Sequence, residues 1–359
     1  MSRLLEVRNL TAERGGVRTL EVPELHLDEG EVLALIGPNG AGKSTLLQAL
    51  ARLIPVGGEL RCRGEVVEGD RSVFAWRRRL AMVFQEPLLF DTTVEENVAS
   101  GLKIRSLPRG ELQMRVAEAL EMFGITGLAG RSARRLSGGE AQRTSLARAF
   151  AVQPEVILLD EPFSALDPPT RMTLTDDLVR ILHRTGTAAV VATHDQTEAL
   201  RLADRLAVLR GGRIVQVGPP SEVMSFPGDE FVATFVGMEN VLAGEVARAG
   251  GGVFALRVPG GELEVVGEAA DGERVVGCIH PENVVLTDEA PQHSSARNVY
   301  PARVERVVRL GGYAKIYLDC GFRLVASVTN RSVAELDLQP GKSVTASCKA
   351  TAVHVFRKG

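Results

Sequence analysis

The chain has 359 residues, 45% of them hydrophobic and 24% charged, with a formal net charge of −3. That length exceeds one small core and predicts two domains, and the near-neutral balance argues against a nucleic-acid binder, which carries a strong basic excess. No apolar run approaches the roughly 18 residues of a membrane span, the opening MSRLLEVRNL lacks the apolar core of a signal peptide, and four cysteines without a CxxC pair suit a reducing compartment.

In chain order, the first informative stretch is GEVLALIGPNGAGKSTLLQALARLI, Gly30 to Ile54. Its short apolar run predicts a strand buried on both faces. GPNGAGKS, Gly37 to Ser44, fits G-x-x-x-x-G-K-[ST], and STLLQALARLI continues with helical spacing. Strand, glycine loop and helix together make a phosphate cradle, in which backbone N–H groups converge on an anion at a helix N-terminus. The expected contacts are Gly37, Pro38, Asn39, Gly40, Ala41, Gly42 and Thr45, with Lys43 on the β- and γ-phosphates and the Ser44 hydroxyl on Mg²⁺. The later GKS at Gly341 to Ser343 lacks the upstream glycine and reads as a turn.

LSGGE follows at Leu136 to Glu140, where its glycines precede a helical stretch, GEAQRTSLARAFAV. That context makes it a second anion-binding helix start. Next, EVILLDEP predicts a buried strand ending in Asp160 and Glu161. An acid at such an end can hold Mg²⁺, which is the role expected of Asp160. Glu161 beside it is placed to act as general base on a water. A further apolar strand, AAVVATHD, ends in His194, whose polar imidazole can sense the γ-phosphate.

The ordered set GPNGAGKS, Gln85 in VFQEP, LSGGE, VILLDEP, SALD (Ser164 to Asp167) and His194 resembles the ATP-binding-cassette (ABC) family over about the first 235 residues. The resemblance implies an α/β fold, a P-loop (RecA-like) ATPase core with a helical subdomain, using ATP and Mg²⁺. It implies that Gln85 contacts Mg²⁺ and the attacking water near a membrane partner, and that Asp167 lies in a loop crossing a dimer interface. It also implies that Ser137, Gly138, Gly139 and Glu140 close on the nucleotide held by the second subunit of a head-to-tail homodimer. The family signature usually ends in Gln, where this chain has Glu140. Where the family usually stacks an aromatic ring on adenine, this chain aligns Arg14; a guanidinium can also stack on a base, and a plain surface charge is the other reading.

After about Phe235, helical periodicity gives way to short β-type runs with glycine turns, predicting a small all-β (OB-like barrel) domain. The expected boundaries are 1–235 and 236–359. GERVVGCIHPENVVL, from Gly272, aligns with GKSVTASCKATAVHV, from Gly341, and ENVLAGEV, from Glu239, with RNVYPARV, from Arg297. Two related modules of about 60 residues are expected, near 236–290 and 291–359. The last module resembles the Mop domain of molybdate- and tungstate-binding proteins, a version of the accessory (TOBE-like) domain of import ATPases. The matching residues are Ser295, Ala296, Arg297 and Asn298 at its start and Lys349, Ala350 and Thr351 near its end. That resemblance implies a tetrahedral oxyanion held by hydroxyls, backbone N–H groups and a lysine. A structural dimerisation barrel is the competing reading, and His280 stands at the Lys349 position of the first module.

Together these resemblances imply an import ATPase subunit at the cytoplasmic face of a membrane. Its partners would be a permease dimer, an extracytoplasmic binding protein and molybdate or tungstate, with no nucleic acid. Import of sulfate, iron or a polyamine with an inert tail is the alternative. A non-transport ATPase would carry long heptad insertions or two cassettes, and an oxyanion store would not need the hydrolytic set.

Overall fold

Every residue of the apolar pentad Val32–Ile36 is buried, as a central parallel strand requires. The computed structural model describes residues 2–291 and 293–357, and the chain divides into two compact units, 1–220 and 221–359.

In the first unit the strands are β1 (Arg3–Arg14), β2 (Val17–Asp28), β3 (Val32–Ile36), β4 (Gly57–Cys62), β5 (Glu65–Val66), β6 (Leu80–Val83), β7 (Val156–Asp160), β8 (Ala188–Thr193), β9 (Arg205–Arg210) and β10 (Arg213–Gly218). The helices are α1 (Lys43–Leu50), α2 (Gly69–Arg79), α3 (Val94–Ile104), α4 (Arg109–Met122), α5 (Gly138–Ala151), α6 (Pro168–Thr185) and α7 (Gln196–Leu202). A six-stranded sheet runs β10-β9-β3-β8-β7-β6, parallel throughout except for β10 on β9. Successive side chains of a strand face opposite sides, and β7 shows the consequence. Val156 and Leu158 enter a core shared with α1 and the antiparallel sheet β2-β1-β4-β5. Ile157 and Leu159 enter a second core, with Phe123, Phe150 and Leu178, that carries α3 to α6.

The sheet order decides where chemistry can occur. β3 neighbours β8 and β8 neighbours β7, with Ile36 opposite Thr193 and Asp160 opposite Ala192. The loops after these three strands therefore leave one edge side by side. In open parallel sheets that carboxyl edge is where ligands bind.

The second unit holds α8 (Pro220–Ser225, which begins at the boundary), α9 (Glu230–Phe235) and α10 (Asn330–Glu335). Its strands are β11 (Asn240–Gly250), β12 (Val253–Val258), β13 (Gly261–Val266), β14 (Arg274–Ile279), β15 (Val285–Thr287), β16 (Asn298–Leu310), β17 (Tyr313–Asp319), β18 (Arg323–Thr329), β19 (Ser343–Cys348) and β20 (His354–Arg357). The divide falls at 220/221, earlier than the 235/236 read from periodicity, because side-chain bonds tie α8 and the turn after it to the β-rich part. His280 Nε2 bonds the Met224 carbonyl and His354 Nε2 bonds the Pro227 carbonyl, both at 2.9 Å.

Two five-stranded antiparallel sheets form this unit, ordered β13-β12-β11-β14-β20 and β15-β19-β16-β17-β18. The internal repeat equates β14 with β19 and β15 with β20. Each module thus completes the other's sheet with its own last strand: β20 pairs with β14 through Cys278↔His354, and β15 with β19 through Val285↔Ser347. Two asparagines from the repeated Asn-Val pair lock the exchange. Asn240 Nδ2 donates to the Val325 carbonyl at 2.9 Å and Oδ1 accepts the Val325 N–H at 2.6 Å. Asn298 does the same to Glu264, at 2.9 and 2.7 Å.

Candidate active site

The glycine loop between β3 and α1 owes its shape to two close approaches. A Cβ on Gly37 would stand 2.4 Å from the Leu209 carbonyl oxygen, and Gly42, the N-cap of α1, has φ 104°. Only glycine meets both demands without strain. Lys43 begins the helix, its side chain 5% exposed, and Nζ donates to the carbonyls of Gly37 at 2.8 Å and Pro38 at 3.2 Å. Burial holds its ammonium below the usual lysine range, partly offset by Glu161.

The two acids after β7 diverge in role by geometry. Asp160 is buried, and its Oδ1 accepts the Ser44 hydroxyl at 2.9 Å. Burial raises its carboxyl above the ordinary range, with the Ser44 bond acting the other way. Glu161 turns out of the strand with φ 45°, a left-handed backbone conformation that costs a non-glycine residue roughly 1–3 kcal/mol. Its N–H bonds the Ala192 carbonyl at 2.8 Å, pinning the turn to β8. Its carboxylate lies between Lys43 Nζ, at 3.7 Å, and His194 Nδ1, at 3.1 Å.

A cleft of about 340 Å³ collects these groups: Asn39 to Thr45 of the loop, Gln85 and Glu161. Among the described residues no three His, Cys, Asp or Glu side chains converge as a preformed metal site. The bonded Ser44–Asp160 pair with Gln85 on the same cleft is instead the oxygen-rich, low-carboxylate set suited to Mg²⁺ arriving with phosphates. Arg14 is exposed at the tip of the β1–β2 hairpin and does not line this cleft.

The LSGGE stretch folds as a capping box at the start of α5. Ser137 Oγ accepts the Glu140 N–H at 3.3 Å, and Glu140 Oε2 accepts the Ser137 N–H at 2.7 Å. Glu140, in place of glutamine, adds a pairing to Arg131 at 3.2 Å, while the Gly138 and Gly139 amides stay at the helix mouth. Asp167 caps α6 through the Thr170 N–H at 3.1 Å.

Two residues that motif reading passed over organise the surroundings. Arg171 bonds the Leu166 carbonyl and the Asp195 carboxylate, both at 3.1 Å, tying SALD to the turn after His194. Glu198 of α7 is buried. One carboxylate oxygen accepts the Thr193 hydroxyl at 3.1 Å and the other has no hydrogen-bond partner, so burial pushes it up to about 7. No spacing within α6 signals Arg171, and none within the seven-residue α7 signals Glu198.

In the second unit, Ser295, Ala296 and Lys349 line one cleft of about 360 Å³ with Ser294 and Glu282. Lys349 is exposed and makes no ion pair among the described residues. The remaining oxyanion candidates depart from the expected cluster. Arg297, Asn298, Ala350 and Thr351 do not line the cleft. Asn298 is buried with its amide spent on Glu264, Ala350 is buried, and Thr351 lines a neighbouring cavity.

The ABC transporter family model matches residues 20–164, and the TOBE domain model matches residues 294–355. The chain is 38% identical to the molybdate/tungstate import ATP-binding protein WtpC of Pyrococcus horikoshii, over 98% of this chain and all of that one. It is also 38% identical to the spermidine/putrescine import ATP-binding protein PotA of Rubrobacter xylanophilus, over 96% of this chain and 92% of that one. The solved structure of cbiO1 from Clostridium perfringens, part of the ABC transporter complex cbiONQ, superimposes with a TM-score of 0.59 at 29% identity. It covers 67% of this chain and 96% of that one.

Proposed function

We propose that this chain, which belongs to the ABC transporter family of import ATP-binding proteins, drives uptake of molybdate or tungstate through a separate membrane permease. As a member of that family it is an ATPase that uses ATP with Mg²⁺. The glycine-loop amides and Lys43 would bind the β- and γ-phosphates, and Ser44, Asp160 and Gln85 would hold the metal. Mg²⁺ held there would supply charge neutralisation to the phosphates.

Glu161 takes the proton of the attacking water, and His194 holds the carboxylate from its other side while facing the γ-phosphate. Lys43, 3.7 Å from Glu161, holds the base near the phosphate it serves. The capped mouth of α5, with Ser137, Gly138 and Gly139, closes on the nucleotide of a second copy, and Asp167 borders that contact. Hydrolysis then removes the anion that holds the dimer shut, a two-state element a permease can follow. The working location is the cytoplasmic face of the membrane; no helix among the described residues is long and apolar enough to cross it.

One observation supports the oxyanion over other cargo: Lys349, without an ion-pair partner, shares a cleft with the hydroxyl-bearing Ser294 and Ser295. A cation with several neutral donors is what a tetrahedral dianion requires. Glu282, on the rim with its side chain 73% exposed, is solvent-screened. The reading extends to feedback, in which anion bound in the tail lowers ATP turnover when the cytoplasm is replete. Polyamine, iron or sulfate import with an inert tail is the alternative. Calorimetric titration with molybdate, tungstate and sulfate in parallel, on the native protein and on Lys349→Ala, separates them. Binding of molybdate or tungstate that Lys349→Ala abolishes is expected; no heat with any anion leaves the ATPase intact and removes the oxyanion reading of the tail.

A further inference from the structure

The internal repeat creates two clefts in the second unit, and they differ in chemistry. The alignment that sets His280 on Lys349 also sets His354 on Val285 and Phe356 on Thr287. In the structure His280, Ala352, His354 and Phe356 line a cavity of about 610 Å³, the counterpart of the Lys349 cleft. Each is built across the exchanged strands, one module supplying the residue after its fourth strand and the other its last strand.

The larger cavity has lost the lysine and gained rings and carboxylates. Phe226 stands edge-on to His354 at 5.3 Å and 77°, His354 is 6.4 Å from Phe356, and Phe254 adds a further wall. Burial holds His354 below the usual histidine range, which keeps that ring neutral near pH 7. The one arginine, Arg357, is paired with Glu273 at 2.7 Å. Glu268 also lines the cavity and has no hydrogen bond or ion pair among the described residues. Glu268 is thus the carboxylate of this cavity left without a cationic partner among the described residues, and it shares the cavity with the aromatic wall.

We propose that this cavity binds a small protonated amine, with Glu268 as its counter-ion and the Phe226, Phe254 and His354 rings as its wall. A cation over aromatic faces gains from the ring quadrupoles, and more so where water is partly excluded. The volume lies within the 300–1,000 Å³ or so typical of small-molecule sites. An oxyanion is disfavoured here, because no unpaired arginine or lysine among the described lining residues answers it, as Lys349 would in the other cleft. The two clefts of one fold thus divide ligands by sign. This inference stands on the cavity alone and is independent of the cargo proposed above.

The test is calorimetric titration of the full-length protein with putrescine, spermidine and choline, at low salt and again at high salt. Saturable binding is expected for at least one of them, weakening with salt as a charge pair does. Glu268→Gln lowers the affinity about tenfold and Phe226→Ala several-fold. Both positions are exposed, so the variants retain the fold, checked by circular dichroism. Lys349→Ala, in the other cleft, leaves amine affinity unchanged. The proposal is overturned by no heat from any of the three amines up to about 10 mM, a concentration at which even millimolar binding is visible. Affinity that survives Glu268→Gln, or that Lys349→Ala removes, overturns it equally.

Discussion

Glu161, the proposed base, holds its place at a structural cost. Its left-handed backbone is held by the bond to Ala192, and that twist aims its carboxylate between Lys43 and His194 rather than along the path of Asp160. Glu161→Gln keeps the shape and the backbone bond but cannot take a proton. ATP hydrolysis is expected to fall by about 10²–10⁴, as for loss of a general base, with nucleotide affinity retained; a turnover assay beside a nucleotide titration checks both. Near-normal turnover would remove Glu161 as the base. The pair Asp160–Glu161 was legible because an apolar run led directly into it. The left-handed turn that separates the two carboxylates was not, since two adjacent acids do not encode a φ angle. Asn298 marks the opposite limit: beside Ser295 it reads as a ligand donor, yet its amide is consumed by a strand of the other module.

At the scale of elements, α5 and α7 differ in what their first turns reveal. The Ser137-to-Glu140 spacing announces the capping box of α5, and a cap of this kind is worth about 1 kcal/mol. The short α7 instead buries Glu198 against β8 with one oxygen unpartnered, a feature fixed by sheet order and invisible in its own sequence. Its pH consequence follows from the shift up to about 7 from an ordinary 4.5. Between those values the folded protein holds a proton that the unfolded chain has released, so Glu198 costs stability progressively as pH rises from about 4.5 to 7 and fully above it. Glu198→Gln removes that cost while keeping an acceptor for Thr193. It should flatten this slope and stabilise the protein by up to about 3 kcal/mol near pH 8, with little change near pH 4.5. Urea unfolding of both proteins at the two pH values is the check, and an equal difference at both would dismiss a titrating Glu198.

For the whole molecule, the parallel sheet was legible because buried strands and the helices between them leave a period in the chain. The paired repeats likewise announced two modules. Their exchange of last strands left no mark, because Cys278 and His354 lie far apart in sequence and pairing at that distance has no local pattern. Asn298→Ala should leave the N–H and carbonyl of Glu264 without partners, costing about 1–3 kcal/mol, and Asn240→Ala should cost a like amount at Val325. Calorimetry should show the transition of the second unit falling while that of the nucleotide-binding unit stays in place; a shift in both would mean the two units unfold as one. The exchange also bears on the order of events during synthesis. Residues 236–290 leave the ribosome with the outer edge of β14 bare, and the strand that covers it, 354–357, is made only after the rest of the second module. The nucleotide-binding unit can fold while translation continues, but this part of the protein must wait for its closing strand. Chains stalled before residue 354 would therefore present an open sheet edge, the kind of surface that chaperones and proteases recognise.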